Sequence, residues 1–160
     1  MNTKLDIFVY VRYGKLAKYK ETINNFDVNV KDKYGYTLLH EAIAHRQYEI
    51  AFDLLDRNID VNVQDSKGQI ALHYIPFYMK NFNPVLAEKI IQKTEDIDKK
   101  DSHGNTTLWY AIQFSKGNYS LVQLLKKYGA NPLALNNVGK TPFDVALRIG
   151  DQNLIEMIDE

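Results

Sequence analysis

A short mark, an Asp or Asn followed three residues later by glycine, returns along this chain at nearly constant distance and constrains its fold more than any other feature. It stands at Asp32 and Gly35, Asp65 and Gly68, Asp101 and Gly104, and Asn136 and Gly139, so successive copies begin 33, 36 and 35 residues apart. Self-similarity at such a period belongs to stacked arrays, in which one supersecondary unit cannot bury its apolar face alone. Behind each glycine a related run follows: Thr37-Leu38-Leu39-His40-Glu41-Ala42, Ile70-Ala71-Leu72-His73, Thr106-Thr107-Leu108-Trp109-Tyr110-Ala111 and Thr141-Pro142-Phe143-Asp144-Val145-Ala146. A second apolar run, Ile50-Ala51-Phe52-Asp53-Leu54-Leu55 or Leu121-Val122-Gln123-Leu124-Leu125, lies further on at helical spacing, ahead of Asp60-Val61-Asn62 or Gly129-Ala130-Asn131-Pro132.

These runs resemble the Thr-Pro-Leu-His-x-Ala signature and the closing Ala-Asp-Val-Asn of the ankyrin repeat. The resemblance implies an all-α repeat solenoid of helix-turn-helix modules joined by β-hairpin loops. The chain then divides as one domain over 1–160: an N-terminal cap at 1–31, repeats at 32–64, 65–100 and 101–135, and a C-terminal cap repeat at 136–160. The first segment reads as a degenerate leading repeat, two short helices parted at Gly14, closed by Phe26-Asp27-Val28-Asn29. Terminal modules of an array need a polar outer face. The Lys and Arg residues of the first segment, and Asp144, Asp151, Glu156, Asp159 and Glu160 of the last, supply one.

At 160 residues the chain is long enough for one core, burying roughly 70% of the surface its unfolded form exposes. Net charge is zero but unevenly placed: Met1 to Lys31 holds six basic and three acidic residues, Asp32 to Gln64 three and six. Phosphate binding needs a concentrated cationic stripe, so nucleic acid is not the expected partner. The absence of cysteine removes disulfides, thiolate metal ligation and a thiol nucleophile together, and fits a reducing, cytoplasmic setting. Ile7-Phe8-Val9-Tyr10-Val11, bracketed by Asp6 and Arg12, is too short for a signal core or a membrane helix.

The repeats are not uniform. In the second, Pro76 stands within the expected inner helix where the family has alanine; it removes an N–H and crowds the carbonyl four residues earlier, so the helix must bend or stop early. Extra residues fall between Met79 and Pro84, and a smaller expansion lies at Ser115 to Tyr119. His40 and His73 occupy the family's histidine position, where the ring ties adjacent repeats, while Trp109 replaces the third. Both histidines therefore read as structural, not as metal ligands or general bases.

No phosphate-cradling glycine loop, zinc spacing or nucleophile elbow is present in the sequence. The expectation is a chain without catalytic activity, cofactor or metal. The resemblance implies a concave binding surface made of hairpin tips and inner helices. In this register the partner-binding residues are Lys33, Tyr34, Tyr36, Lys67, Gln69, His103 and Asn105 on the tips, with His45, Tyr74, Phe77, Tyr78, Tyr110, Gln113 and Phe114 on the inner helices. Lys140, Asn137 and Arg148 extend the same face. Tyrosine is frequent among them, a composition suited to interface anchors. The other reading of Tyr74, Phe77, Phe82 and Phe114 is that they pack under the distorted turns. The implied function is recognition of another protein, with inhibition or sequestration as the outcome, immunity against a bacterial toxin as one specific form, and an adaptor bridging two partners as the alternative. Neither a membrane nor nucleic acid is expected as partner, and the free chain is expected to be a monomer.

Overall fold

The computed structural model describes residues 3–159; Met1, Asn2 and Glu160, at the outer limits of the two expected caps, lie outside the described residues. Among the described residues the period resolves into five helix pairs. They are α1 (Thr3–Arg12) with α2 (Leu16–Ile23), α3 (Leu38–Ala44) with α4 (Tyr48–Asp56), α5 (Ala71–Tyr74) with α6 (Pro84–Lys93), α7 (Thr107–Gln113) with α8 (Ser120–Lys127), and α9 (Pro142–Ile149) with α10 (Gln152–Asp159). Inner helices α1, α3, α5, α7 and α9 contact one another in that order, and α4, α6 and α8 form the outer row. This is the all-α solenoid expected from the period.

The inner helices start where a residue in extended conformation caps them. Thr37, Thr106 and Thr141 each accept a hydrogen bond from the backbone N–H three residues on, satisfying a donor that the first turn cannot. Ile70 has no hydroxyl, so repeat two keeps only the reciprocal half, Ile70 N–H to His73 Nδ1 at 3.3 Å. Its helix α5 is one turn long, and beyond it Ile75–Asn81 winds as a 3-10 segment broken at Tyr78 (φ −120°). Pro76, unable to donate, accounts for this early stop. The next helix begins afresh at Pro84, with Asn83 Oδ1 accepting from Leu86 N–H at 3.0 Å.

The Asp-x-x-Gly mark is explained by the tips between repeats. One side-chain oxygen of Asp32 accepts from the N–H of Tyr34 and Tyr36; Asp65 does so for Lys67 and Gln69, Asp101 for His103 and Asn105, and Asn136 for Val138 and Lys140, all within 2.7–3.1 Å. An amide oxygen serves as well as a carboxylate, which is why Asn136 substitutes for aspartate. The tips are tight hairpin turns. Among the described residues a single antiparallel bridge, Lys31 to Thr37, is as far as strand structure goes. Backbone bonds run from tip to tip: Ser66 N–H to Tyr34 O, Ser102 N–H to Lys67 O, Asn137 N–H to His103 O, at 2.8–3.0 Å.

The core runs unbroken through the array. Leu39, Leu72 and Leu108 repeat at one inner position and Leu54, Leu55, Ile90, Leu121, Leu125, Leu154 and Ile158 line the outer row, all buried. At the last repeat the pattern opens. Leu147 is 51% exposed, whereas Ile43 and Ile112, in the same register, are 2% and 0%. Two of the carboxylates expected to face water are engaged locally instead: Asp144 caps α9 and Asp151 accepts from Leu154 N–H and the Tyr119 hydroxyl.

Candidate recognition face

The histidine position shows how one repeat is fastened to the next. Thr37 N–H lies 3.2 Å from His40 Nδ1 and the Thr37 hydroxyl 2.9 Å from the same nitrogen. That leaves the ring proton on Nε2, which donates to the carbonyl of Gln69 at 3.1 Å, across the repeat boundary. His73 repeats the tie to Asn105 O at 3.3 Å. Burial depresses the basicity of both rings. Trp109 has no equivalent: its Nε1–H is buried without a partner. Asp144 takes over the capping half of the role in the last repeat, bonded to Thr141 N–H and hydroxyl at 2.8 and 3.0 Å.

Beside the tips a second ladder engages polar residues that the sequence assigned to partner contact. Tyr74 donates its hydroxyl to Asp65 Oδ2 and Tyr110 to Asp101 Oδ2, both at 2.6 Å. Gln69 Nε2–H reaches Asp101, Asn136 Nδ2–H reaches Asn105 Oδ1, and Asn105 Nδ2–H reaches the Tyr110 hydroxyl. Burial, followed by the Asp65 bond, drives the Tyr74 phenol far above its ordinary range, and burial chiefly pushes Tyr110 up to about 12. Gln69, Tyr74, Asn105 and Tyr110 are thus nearly enclosed. They hold the tips in place and leave little area for a partner to touch.

The remaining predicted residues divide by exposure. Tyr34 is 52% exposed with the Lys33 ammonium 4.8 Å from its ring centre, and Phe77 is 42% exposed. Lys67, His45 and His103 are exposed, while Tyr36, Tyr78, Gln113 and Phe114 are half-buried. Aromatic rings join most of them: Tyr36 stacks on His40 and meets Tyr74 edge-on at 5.8 Å, and Phe77 lies 5.2 Å from Tyr110 and 5.1 Å from Phe114. A cleft of about 510 Å³ opens over this cluster, lined by Tyr36, Lys67, Gln69, Tyr74, Phe77, Tyr78, Asp101, His103 and Tyr110. His45 lies elsewhere, with Arg12 against the buried Glu41 that ties the first helix pair to the second. Gln113 accepts from Arg148.

Sequence reasoning placed Lys140 and Arg148 on the face but did not single out the second cleft, of about 390 Å³, in which they stand with Trp109, Asn136, Val138, Asp144 and Val145. Its signal was the loss of histidine at 109 and an apolar residue, Val138, at a tip. Among the described residues no group of three His, Asp or Glu is placed to hold a metal ion, and no helix is long and apolar enough to cross a membrane.

Comparison with known proteins agrees with this architecture. Residues 23–75 match the family described as ankyrin repeats in many copies, and residues 103–137 match the single ankyrin repeat. The chain belongs to the ankyrin-repeat family. An ankyrin repeat protein of Rickettsia bellii is 33% identical over 132 residues, covering 79% of this chain and 37% of that protein. A second from the same organism is 31% identical over 80 residues, half of this chain and 45% of the relative. The human transient receptor potential cation channel subfamily A member 1 is 30% identical over 127 residues, 79% of this chain and 11% of the channel. The chain therefore spans less than half the length of each of these relatives. Ankyrin repeats are protein-interaction modules.

Proposed function

We propose that this chain is a non-catalytic recognition protein that seats a protein partner on its concave face and acts by occupying it, as an inhibitor or sequestering agent in the cytoplasm. The observation carrying the reading is Phe77. It stands partly exposed against three aromatic rings, Tyr74, Tyr110 and Phe114, on a 3-10 segment that departs from the regular inner helix. An apolar ring held by buried neighbours gives a partner a large contact with few rotors left to freeze. Tyr34, Lys67 and His103 rim it. Neutralisation of a toxin is the most specific form this reading takes.

The test is capture from the source cell with wild type and with Phe77→Ala, followed by an assay of the captured partner's activity as the chain is titrated in. Inhibition predicts recovery with wild type, loss with the variant, and falling partner activity. A partner whose activity is untouched at saturation points to the adaptor role instead, and equal recovery by both proteins removes the concave face from the account.

A further inference from the structure

The two clefts are neighbours on the same face. Trp109 and Tyr110, adjacent in sequence with ring centres 5.1 Å apart, stand between them, Tyr110 lining the first and Trp109 the second. Each combines an apolar floor with cations at its edge: Lys67 beside Phe77 and Tyr36, and Lys140 and Arg148 beside Trp109, Val138 and Val145. Each also contains a carboxylate already engaged within the chain, on both oxygens in the first cleft and on one oxygen in the second. Asp101 takes four donors, from His103 N–H, Asn105 N–H, the Tyr110 hydroxyl and Gln69 Nε2–H. A carboxylate offers about four acceptor sites, so none remains. Asp144 receives Thr141 N–H and its hydroxyl. The Lys67 and Lys140 side chains are exposed, and among the described residues neither makes a hydrogen bond or an ion pair within the chain.

From this asymmetry between engaged acceptors and unengaged donors we infer that the partner presents an extended acidic segment carrying two apolar side chains, one for each cleft. The inference rests on the recognition role proposed above and specifies the chemistry of what is recognised. A partner carboxylate finds an ammonium group that has no other hydrogen bond to give up. A partner ammonium finds Asp101 fully occupied in the first cleft and, in the second, Asp144 with one oxygen already engaged and the like charges of Lys140 and Arg148 beside it. The apolar side chains cover Phe77 in one cleft and Val138 and Trp109 in the other, removing that apolar surface from water.

Selection of displayed random peptides against the folded chain tests this. Enriched sequences are expected to carry Asp or Glu flanking aromatic or aliphatic residues. A representative synthetic peptide is expected to lose about tenfold or more in affinity against Lys67→Glu combined with Lys140→Glu, and again against Phe77→Ala. Both lysines are exposed, so melting temperature should not change; Lys67→Gln with Lys140→Gln is the milder pair if it does, and should weaken binding less. Enriched peptides with no acidic bias that still depend on Phe77 overturn the inference and leave the concave recognition face standing. Peptides indifferent to both substitutions overturn the two together, as does a selection that enriches nothing. Equal binding of a single-stranded oligothymidine, or occupation of the clefts by a second copy of the chain in sedimentation runs, replaces the acidic peptide with another occupant.

Discussion

His40 and His73 do for this chain what covalent links do elsewhere: a single imidazole joins a helix cap to the neighbouring repeat. The role requires a neutral ring, because Nδ1 must accept from the Thr37 or Ile70 N–H while Nε2 donates across the boundary. Burial lowers both pKa values from the ordinary 6.5. The unfolded chain then takes up protons, as pH falls below about 6.5, that the folded chain refuses, so stability is full above that range and declines beneath it. Urea midpoints should fall from pH 7.5 to pH 5.5, and His73→Gln should flatten the dependence; a pH-independent midpoint in the wild type would remove the rings from the account. Glycine placement gives a sharper contrast. Gly104 has φ +76°, and a Cβ there would lie 2.7 Å from the backbone nitrogen of Asn137, so Gly104→Ala should cost about 1–3 kcal/mol. Lys116 is exposed and also left-handed, with φ +47°, and Lys116→Gly should instead add about 0.5–1 kcal/mol. Chemical denaturation reads both.

At the scale of the element, most of the helices were legible because their signals are local. Thr37, Thr106 and Thr141 announce the inner helices, apolar residues at helical spacing announce the outer ones, and Pro76 announces the broken one. Leu54 and Leu125 are fully buried, so either change to alanine should destabilise by about 2–5 kcal/mol in equilibrium unfolding; a loss well below that would put them outside the core register. What was not legible was the division of labour among tip and inner-helix residues. Gln69, Asn105, Tyr74 and Tyr110 have the composition of contact residues, yet their polar ends meet Asp101, Asn136 and Asp65 from adjoining tips. The encounters of Gln69 and Asn105 depend on the distance between stacked repeats, which no single module encodes, while those of Tyr74 and Tyr110 close within one repeat, onto an aspartate nine residues back. The same limit hid the second cleft, whose wall Trp109 and tip Val138 are a repeat apart. Replacing Tyr74 or Tyr110 breaks the hydrogen-bonded ladder, whereas replacing Phe77 or Tyr34 removes ring contacts and exposed surface but no bond of that ladder.

For the whole molecule, an array whose units contact only their neighbours is weakest where apolar positions stay uncovered. The open position at Leu147, together with exposed Leu133, Leu135 and Ile149, places that weakness at the last helix pair. Amide hydrogens of α9 and α10 should exchange faster than those of α4, α6 and α8, and uniform protection along the chain would contradict this. The proposed recognition would draw on the opposite property, the close packing of the middle repeats, where tip bonds and aromatic contacts gather around Phe77. The most direct measurement of the central claim is a titration of the captured partner against wild type and Phe77→Ala, the two matched for melting temperature. The account predicts an affinity loss of about tenfold or more in the variant. An unchanged affinity in a fully folded Phe77→Ala protein would contradict it.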